Sequence, residues 1–373
     1  MKPFAYASAG SVDEALRLLR AGGPPDGGVR LLAGGTDLLT LMKAGVAAPA
    51  RLIDVKRAGL PDGIQATPDG VEIGALATLA DVEASPVLHE QYAALGEAAA
   101  VAATPQLRNV ATIAGNLLQR PRCWYFRSAY LSCWLKGGTD CPARDGENQL
   151  HAILGGGPCV AVHPSDLAPA LVALDAEVHL RGPRGDRTVA VGDLFALPAD
   201  ERRRETRVAD DELIVAVRLP AAAGARSTFA KAMDRRVWAF ALAGVAARLR
   251  VVQGRIADAR VVLSGVAPIP WRAREAEGEL VGRAPGRAVF ERAADVALAG
   301  AAPLRLNGYK VPLVRALACR ALEALAGDTR SSSAPTGGAA LGYAQDAGHP
   351  GGLQDLRAKT ETEGEHDAWG RHG

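Results

Sequence analysis

Residues 104–166 read TPQLRNVATIAGNLLQRPRCWYFRSAYLSCWLKGGTDCPARDGENQLHAILGGGPCVAVHPSD and gather four of the chain's five cysteines, Cys123, Cys133, Cys141 and Cys159. Long apolar runs are scarce here, so the clustering asks for a chemical reason rather than a core. Ahead of the cysteines lies ATIAGNLLQ, a small-residue turn followed by apolar residues. Behind them comes HPSDLAPALVAL, a cap leading into a buried run, with Asp166 at the cap position. The pattern reads as a cofactor pocket flanking a cysteine-lined loop.

Nine, seven and seventeen residues separate the successive cysteines, so no CxxC pair exists. Structural zinc sites usually carry close pairs and are disfavoured by this spacing. Four thiolates drawn from a long loop suit an iron–sulfur cluster, and four ordinary buried thiols are the plain alternative. Trp124, Tyr125, Phe126, Tyr130 and Trp134 would shield such a centre from water or form an interface patch. His151 and His163 sit beside backbone turns and read as structural rather than as metal ligands. Cys319, in VRALACRALEAL, reads as a core residue.

Working outward toward the N-terminus, VRLLAGGTDLLTLMKAG carries a short apolar strand into a glycine pair and then a helix start. That arrangement lets backbone N–H groups converge on an anion. It is not the GxGxxG fingerprint of a Rossmann unit, and a tight turn with an N-cap is its plain reading. Two such turns, one at residues 33–37 and one at residues 114–116, can clamp the two phosphates of one dinucleotide from different sides. Before them, Ser11 caps an amphipathic helix with Asp13 and Glu14 in its first turn, ended by Gly22 and Gly23. RLIDVKR and GVEIGALATLADVEAS read as strands leading into a helix start, and residues 87–103 read as one alanine-rich helix. Toward the C-terminus, DELIVAVRLP reads as an edge strand and ERRRETR as a solvated basic loop. Residues 229–277 are expected to give a helix and then two antiparallel strands about Gly254 and Gly265, followed by further helices to Leu325.

With 373 residues the chain has room for two or three domains. A net charge of +2 argues against a nucleic-acid face, and no apolar run reaches the ~20 residues that span a bilayer. Acids at Asp13 and Glu14 stand where a secretory peptide would have its apolar core, so the start is not read as a signal peptide. An odd cysteine count then points to reduced thiols.

Taken together and in order, AGGTDLLTLMKAG, ATIAGNLLQRPRCWYFR, HAILGGGPCVAVHPSDLAPALVAL and FAKAMDRRVWAFALAGVAARL resemble the FAD-binding medium subunit of the xanthine dehydrogenase and aldehyde oxidoreductase family of molybdenum hydroxylases. The resemblance is strongest to the members with an extra [4Fe–4S] loop. It implies an α+β fold: a two-part FAD-binding domain of the PCMH/VAO type over residues 1–221, with the iron–sulfur loop at about 120–160. A C-terminal α+β domain like that of the carbon monoxide dehydrogenase flavoprotein follows over 222–326, and residues 327–373 are expected to be a disordered tail. It further implies that Ala33, Gly34, Gly35, Thr36 and Asp37, then Thr112, Ala114, Gly115 and Asn116, wrap the FAD pyrophosphate. Ala114 stands where relatives often carry glycine. Thr104 would touch the flavin, Asp166 would hydrogen-bond the ribityl or ribose, and Lys231 would face the flavin as a positive charge. Cys123, Cys133, Cys141 and Cys159 would hold the [4Fe–4S] cluster. Electrons would pass from a molybdenum-cofactor large subunit through a [2Fe–2S] small subunit to FAD and on to an external acceptor. No His/Tyr/Glu constellation announces a substrate base of the chain's own, which is what a self-contained flavin oxidase would need. A zinc-stabilised assembly protein is the other alternative. The compartment is expected to be the cytoplasm, or the periplasm by co-export with a signal-bearing partner.

Overall fold

The computed structural model describes residues 1–21, 28–199, 201, 203–235 and 239–327. Gly22, Gly23, Arg202, part of the FAKAMDRRVWAF motif and the expected tail from 328 onward lie outside the described residues.

Among the described residues, three sheets organise the fold. The first is parallel, in the order β1 (Ala5–Ser8), β3 (Arg51–Asp54), β2 (Val29–Leu32), with Tyr6 and Arg30 both opposite Leu52. The helix Val12–Arg20 lies between β1 and β2 in the chain, and the Ser11 hydroxyl accepts from the Glu14 N–H, as its sequence predicts. Ala15, Leu16 and Leu19 of that helix bury against Val29 and Ile53.

The second sheet is antiparallel, in the order β4 (Ile64–Thr67), β5 (Gly70–Gly74), β8 (Leu213–Pro220), β6 (Glu177–Gly182), β7 (Gly185–Ala190). β8 is therefore central and not the expected edge: Leu219 faces Val71 on one side and Val217 faces Val178 on the other. Its apolar side chains are mostly buried, as suits a strand in the middle of a sheet. The expected helix over 87–103 is two helices, Pro86–Gln91 and Ala93–Ala100. They break at Tyr92, whose ring is buried and whose hydroxyl donates to the Pro220 carbonyl at 2.8 Å. One tertiary anchor thus overrides the helical propensity of the alanines.

The third sheet runs β12 (Trp271–Arg272), β11 (Arg255–Ser264), β10 (Ala243–Val252), β9 (Arg226–Ala232), all antiparallel. The helix expected around FAKAM is replaced by strands β9 and β10. Alanine reads as helical in isolation, but here small residues let β10 be covered on both faces. Ala246 packs into the core beneath the helices Ala93–Ala100 and Leu167–Ala173, while Val245, Ala247 and Leu249 point toward the helices Arg274–Leu280, Arg287–Ala297 and Lys310–Ala326. This two-residue alternation is the strand signature. Cys319 is half-buried on the last helix.

The cysteine stretch forms a small core of its own, in which Cys133 and Cys159 pack with Leu41, Phe126, Trp134 and Leu135. No helix among the described residues is long and apolar enough to cross a membrane.

Candidate functional site

A cavity of ≈ 1780 Å³ opens where the first sheet, the second turn and the cysteine stretch meet. That exceeds the roughly 300–1,000 Å³ of ordinary small-ligand pockets and suits a long ligand.

Its first wall is the turn after β2. A β-carbon at Gly34 would lie 2.0 Å from the Val110 carbonyl oxygen, so only glycine lets this turn close onto the 110–111 backbone. Gly35 has φ +71°, in the left-handed region. The N–H groups of Gly34, Gly35, Thr36 and Asp37 meet no acceptor among the described residues. Successive unspent amides in such a turn form an anion-binding concavity.

The second turn is built differently. Thr112 caps the short helix Ile113–Leu117, its hydroxyl accepting from Gly115 N–H at 3.2 Å while its carbonyl accepts from Asn116 N–H at 2.8 Å. The Ile113 and Ala114 amides are taken by the carbonyls of Ala77 and Ala75. Its backbone is largely spent, and what it presents to the cavity is the Asn116 side chain, oriented by the Ser165 hydroxyl at 2.5 Å. The two turns do lie side by side, since Gly34 abuts the residues immediately before Thr112, and Ala33 through Asp37, Thr112, Ala114, Gly115 and Asn116 all line the cavity.

Three other sequence candidates have protein partners of their own. Thr104 caps the helix Pro105–Arg108, accepting from Leu107 N–H, and is outside the cavity wall, which Ala102, Ala103 and Leu107 form there. Asp166 lines the cavity but does not cap the helix Leu167–Ala173; Ser165 accepts from Ala168 N–H instead. The Asp166 carboxylate is committed to Lys231 at 2.7 Å, with the two side chains 6% and 1% exposed. Lys231 also donates to the carbonyls of Val101 and Ala239, at 3.0 and 2.9 Å. It is therefore a buried brace behind Asp166, neither a surface chain nor part of the wall. Burial raises the Asp166 carboxyl above its ordinary range, and the Lys231 charge opposes that rise.

The cysteines converge. Cys133 and Cys159 sit in one small core with Cys123 packed against it, and Cys141 is their electrostatic neighbour. Cys123 and Cys133 also line the cavity. The hydrogen bond from Cys159 lowers Cys141 to about 6, while Cys159 is held far up; burial pushes Cys123 up to about 11 and raises Cys133. Among the described residues no three His, Cys, Asp or Glu side chains close on a point that one metal ion would occupy. His151 Nε2 lies 3.1 Å from Cys123 Sγ, and its ring packs edge-on to Trp124. His163 is buried against Phe195. Of the aromatics, Phe126 and Trp134 are buried in the cysteine core and Tyr130 is 98% exposed.

Sequence reasoning missed the arginines. Asp37, expected on the cofactor, has its carboxylate taken by Arg127 at 2.7 Å, Arg122 at 2.9 Å and the Arg120 N–H at 2.9 Å. The basic cluster read as a solvated loop is also engaged: Arg203 donates to the carbonyls of Trp134 and Gly138 and stacks over the Trp134 ring, and Glu205 pairs with Arg120. Three arginines flanking Cys123 were the available signal.

Residues 2–222 match the family described as "FAD binding domain in molybdopterin dehydrogenase", and residues 228–325 match the "CO dehydrogenase flavoprotein C-terminal domain". The chain is 40% identical to the aldehyde oxidoreductase FAD-binding subunit PaoB of Escherichia coli over 84% of its length and 96% of that protein. It is 30% identical to the carbon monoxide dehydrogenase medium chain of Hydrogenophaga pseudoflava, over 86% of its length and 96% of the relative. Among solved structures, the carbon monoxide dehydrogenase of the same organism matches with a TM-score of 0.68 at 30% identity, covering 87% of this chain and 98% of that one.

Proposed function

Since the chain belongs to the family of FAD-binding medium subunits of the molybdenum hydroxylases, and is thereby an oxidoreductase subunit, we propose that it is the electron-delivering flavoprotein of an aldehyde-oxidising or related complex. FAD would supply the redox chemistry, and the chain supplies binding, orientation and charge. The unspent amides of Gly34, Gly35, Thr36 and Asp37 would receive the diphosphate, assisted by the excess positive charge of Arg122 and Arg127 over Asp37. Asn116 and Asp166 would fix the polar body of the cofactor, with Lys231 keeping Asp166 charged in a buried setting. The thiolates of Cys123, Cys133, Cys141 and Cys159 would hold a [4Fe–4S] cluster. A large molybdenum-cofactor subunit and a small [2Fe–2S] subunit would complete the reaction, electrons reaching FAD from the latter and leaving to an external acceptor.

The observation that carries this reading is the shared wall: one cavity is bounded by the amide-rich turn on one side and by Cys123 and Cys133 on the other. The test is an absorbance spectrum of freshly purified protein with flavin and iron analysis. Flavin bands with a broad iron–sulfur shoulder support the reading. Flavin without iron removes the cluster, and a colourless protein removes both centres.

A further inference from the structure

Asp37 stands in the wall of the cavity, yet its carboxylate is only 15% exposed and already accepts three donors, all from residues 120–127. A carboxylate so committed has little left to offer a ligand, and beside a diphosphate it would repel. Its partners tell what it does instead. Arg127 follows Cys123 by one helical turn, its N–H donating to the Cys123 carbonyl at 2.9 Å, and its guanidinium also grips the carbonyls of Pro121 and Arg120 at 2.7 and 2.8 Å. Arg122 immediately precedes Cys123, donates to Gln119 Oε1 at 3.0 Å and stacks over Phe240. Cys123 is therefore bracketed by the two arginines that hold Asp37, and Asp37 belongs to the turn whose amides are unspent.

We propose that Asp37 is a positioning residue: it ties the anion-binding turn to the Cys123 segment, so that occupation of the turn by FAD and the ordering of Cys123 are one linked event. The inference rests on the assignment of FAD to this cavity. Linkage is reciprocal, so a ligand that steadies the turn steadies the cysteine, and a centre that fixes the cysteine raises affinity at the turn.

The tie is testable in the full-length chain freed of iron and flavin. Iodoacetamide labelling of each cysteine is followed by peptide mass spectrometry, with and without saturating FAD. Cys319, on the distant helix Lys310–Ala326, serves as the internal reference. In the native sequence FAD slows Cys123 labelling by about tenfold or more, the range expected of a coupled pair of sites, and leaves Cys319 unchanged. In Asp37→Asn, with FAD bound at a raised concentration, the protection of Cys123 falls below about twofold. Arg127→Gln carries the same comparison should the first variant fold poorly. Equal protection in both variants and the native chain means FAD merely covers the thiol, and overturns the tie. FAD that binds the native chain without protecting Cys123 overturns it too. A native chain that takes up no FAD removes the assignment of the cavity itself, and is recognised separately by the binding measurement.

Discussion

At Gly34 one added carbon would strike the Val110 carbonyl, and no side chain is asked for. Around the cysteines the wall is made of side chains instead: Cys123 and Cys133 line the cavity beside Phe126 and Leu135. The first half of the cavity is thus made of main chain and the second half of side chains. They differ in what they tolerate: the turn fails when atoms are added, the cysteine pocket when a particular atom is exchanged.

Gly34→Ala is the severest way to probe the first half. Its β-carbon forces the turn away from residues 110–111, and FAD affinity should fall at least about a hundredfold, equivalent to about 2.7 kcal/mol, while the iron content drops far less. Flavin fluorescence titration measures the first and metal analysis the second. Equal loss of both would mean that the halves are a single site. Cys141→Ser makes the converse test: iron should fall to background while FAD affinity changes by no more than about tenfold, or about 1.4 kcal/mol.

A third change separates the halves by stability. Lys231→Met leaves the Asp166 carboxylate buried and unpaired, which should cost about 3–5 kcal/mol in urea denaturation, and Asp166→Asn added to it should restore much of that loss. If the single variant is nearly neutral, the pair does not brace the wall. The smallest effect is a pH dependence. Burial lowers the His163 imidazole to about 3, while an unfolded histidine titrates near about 6.5. The unfolded chain therefore takes up a proton that the folded one refuses. This contribution is complete above about pH 6.5 and shrinks as pH falls toward 3, by at most about 1.4 kcal/mol per unit. His163→Gln should flatten the fall in urea midpoint between pH 7 and pH 5 relative to the native chain; an unchanged slope would place the titration elsewhere.

The same contrast explains what could be read from the sequence. The turn around Gly34 was legible because a strand followed by Gly-Gly-Thr-Asp states a backbone geometry locally. The clustering of the cysteines was legible because four of the five fall in one stretch, and three of them, Cys123, Cys133 and Cys159, share one small core. The roles of Asp37 and Lys231 were not, since both depend on partners that come from distant stretches: Arg122 and Arg127 for one, Asp166 and two carbonyls for the other. Charged residues carry no sequence mark of whom they will meet. β8 and β10 were misread for a related reason, because centrality in a sheet and coverage on both faces are properties of neighbours. Ser165 took the cap expected of Asp166 because Lys231 had claimed the carboxylate.

The most direct test of the two-part cavity is a crystal structure of the purified complex with data collected at the iron absorption edge. The account predicts one compact iron peak enclosed by Cys123, Cys133, Cys141 and Cys159, with the FAD diphosphate resting on the amides of residues 34–37. An iron peak elsewhere, or a diphosphate bound away from that turn, would contradict it.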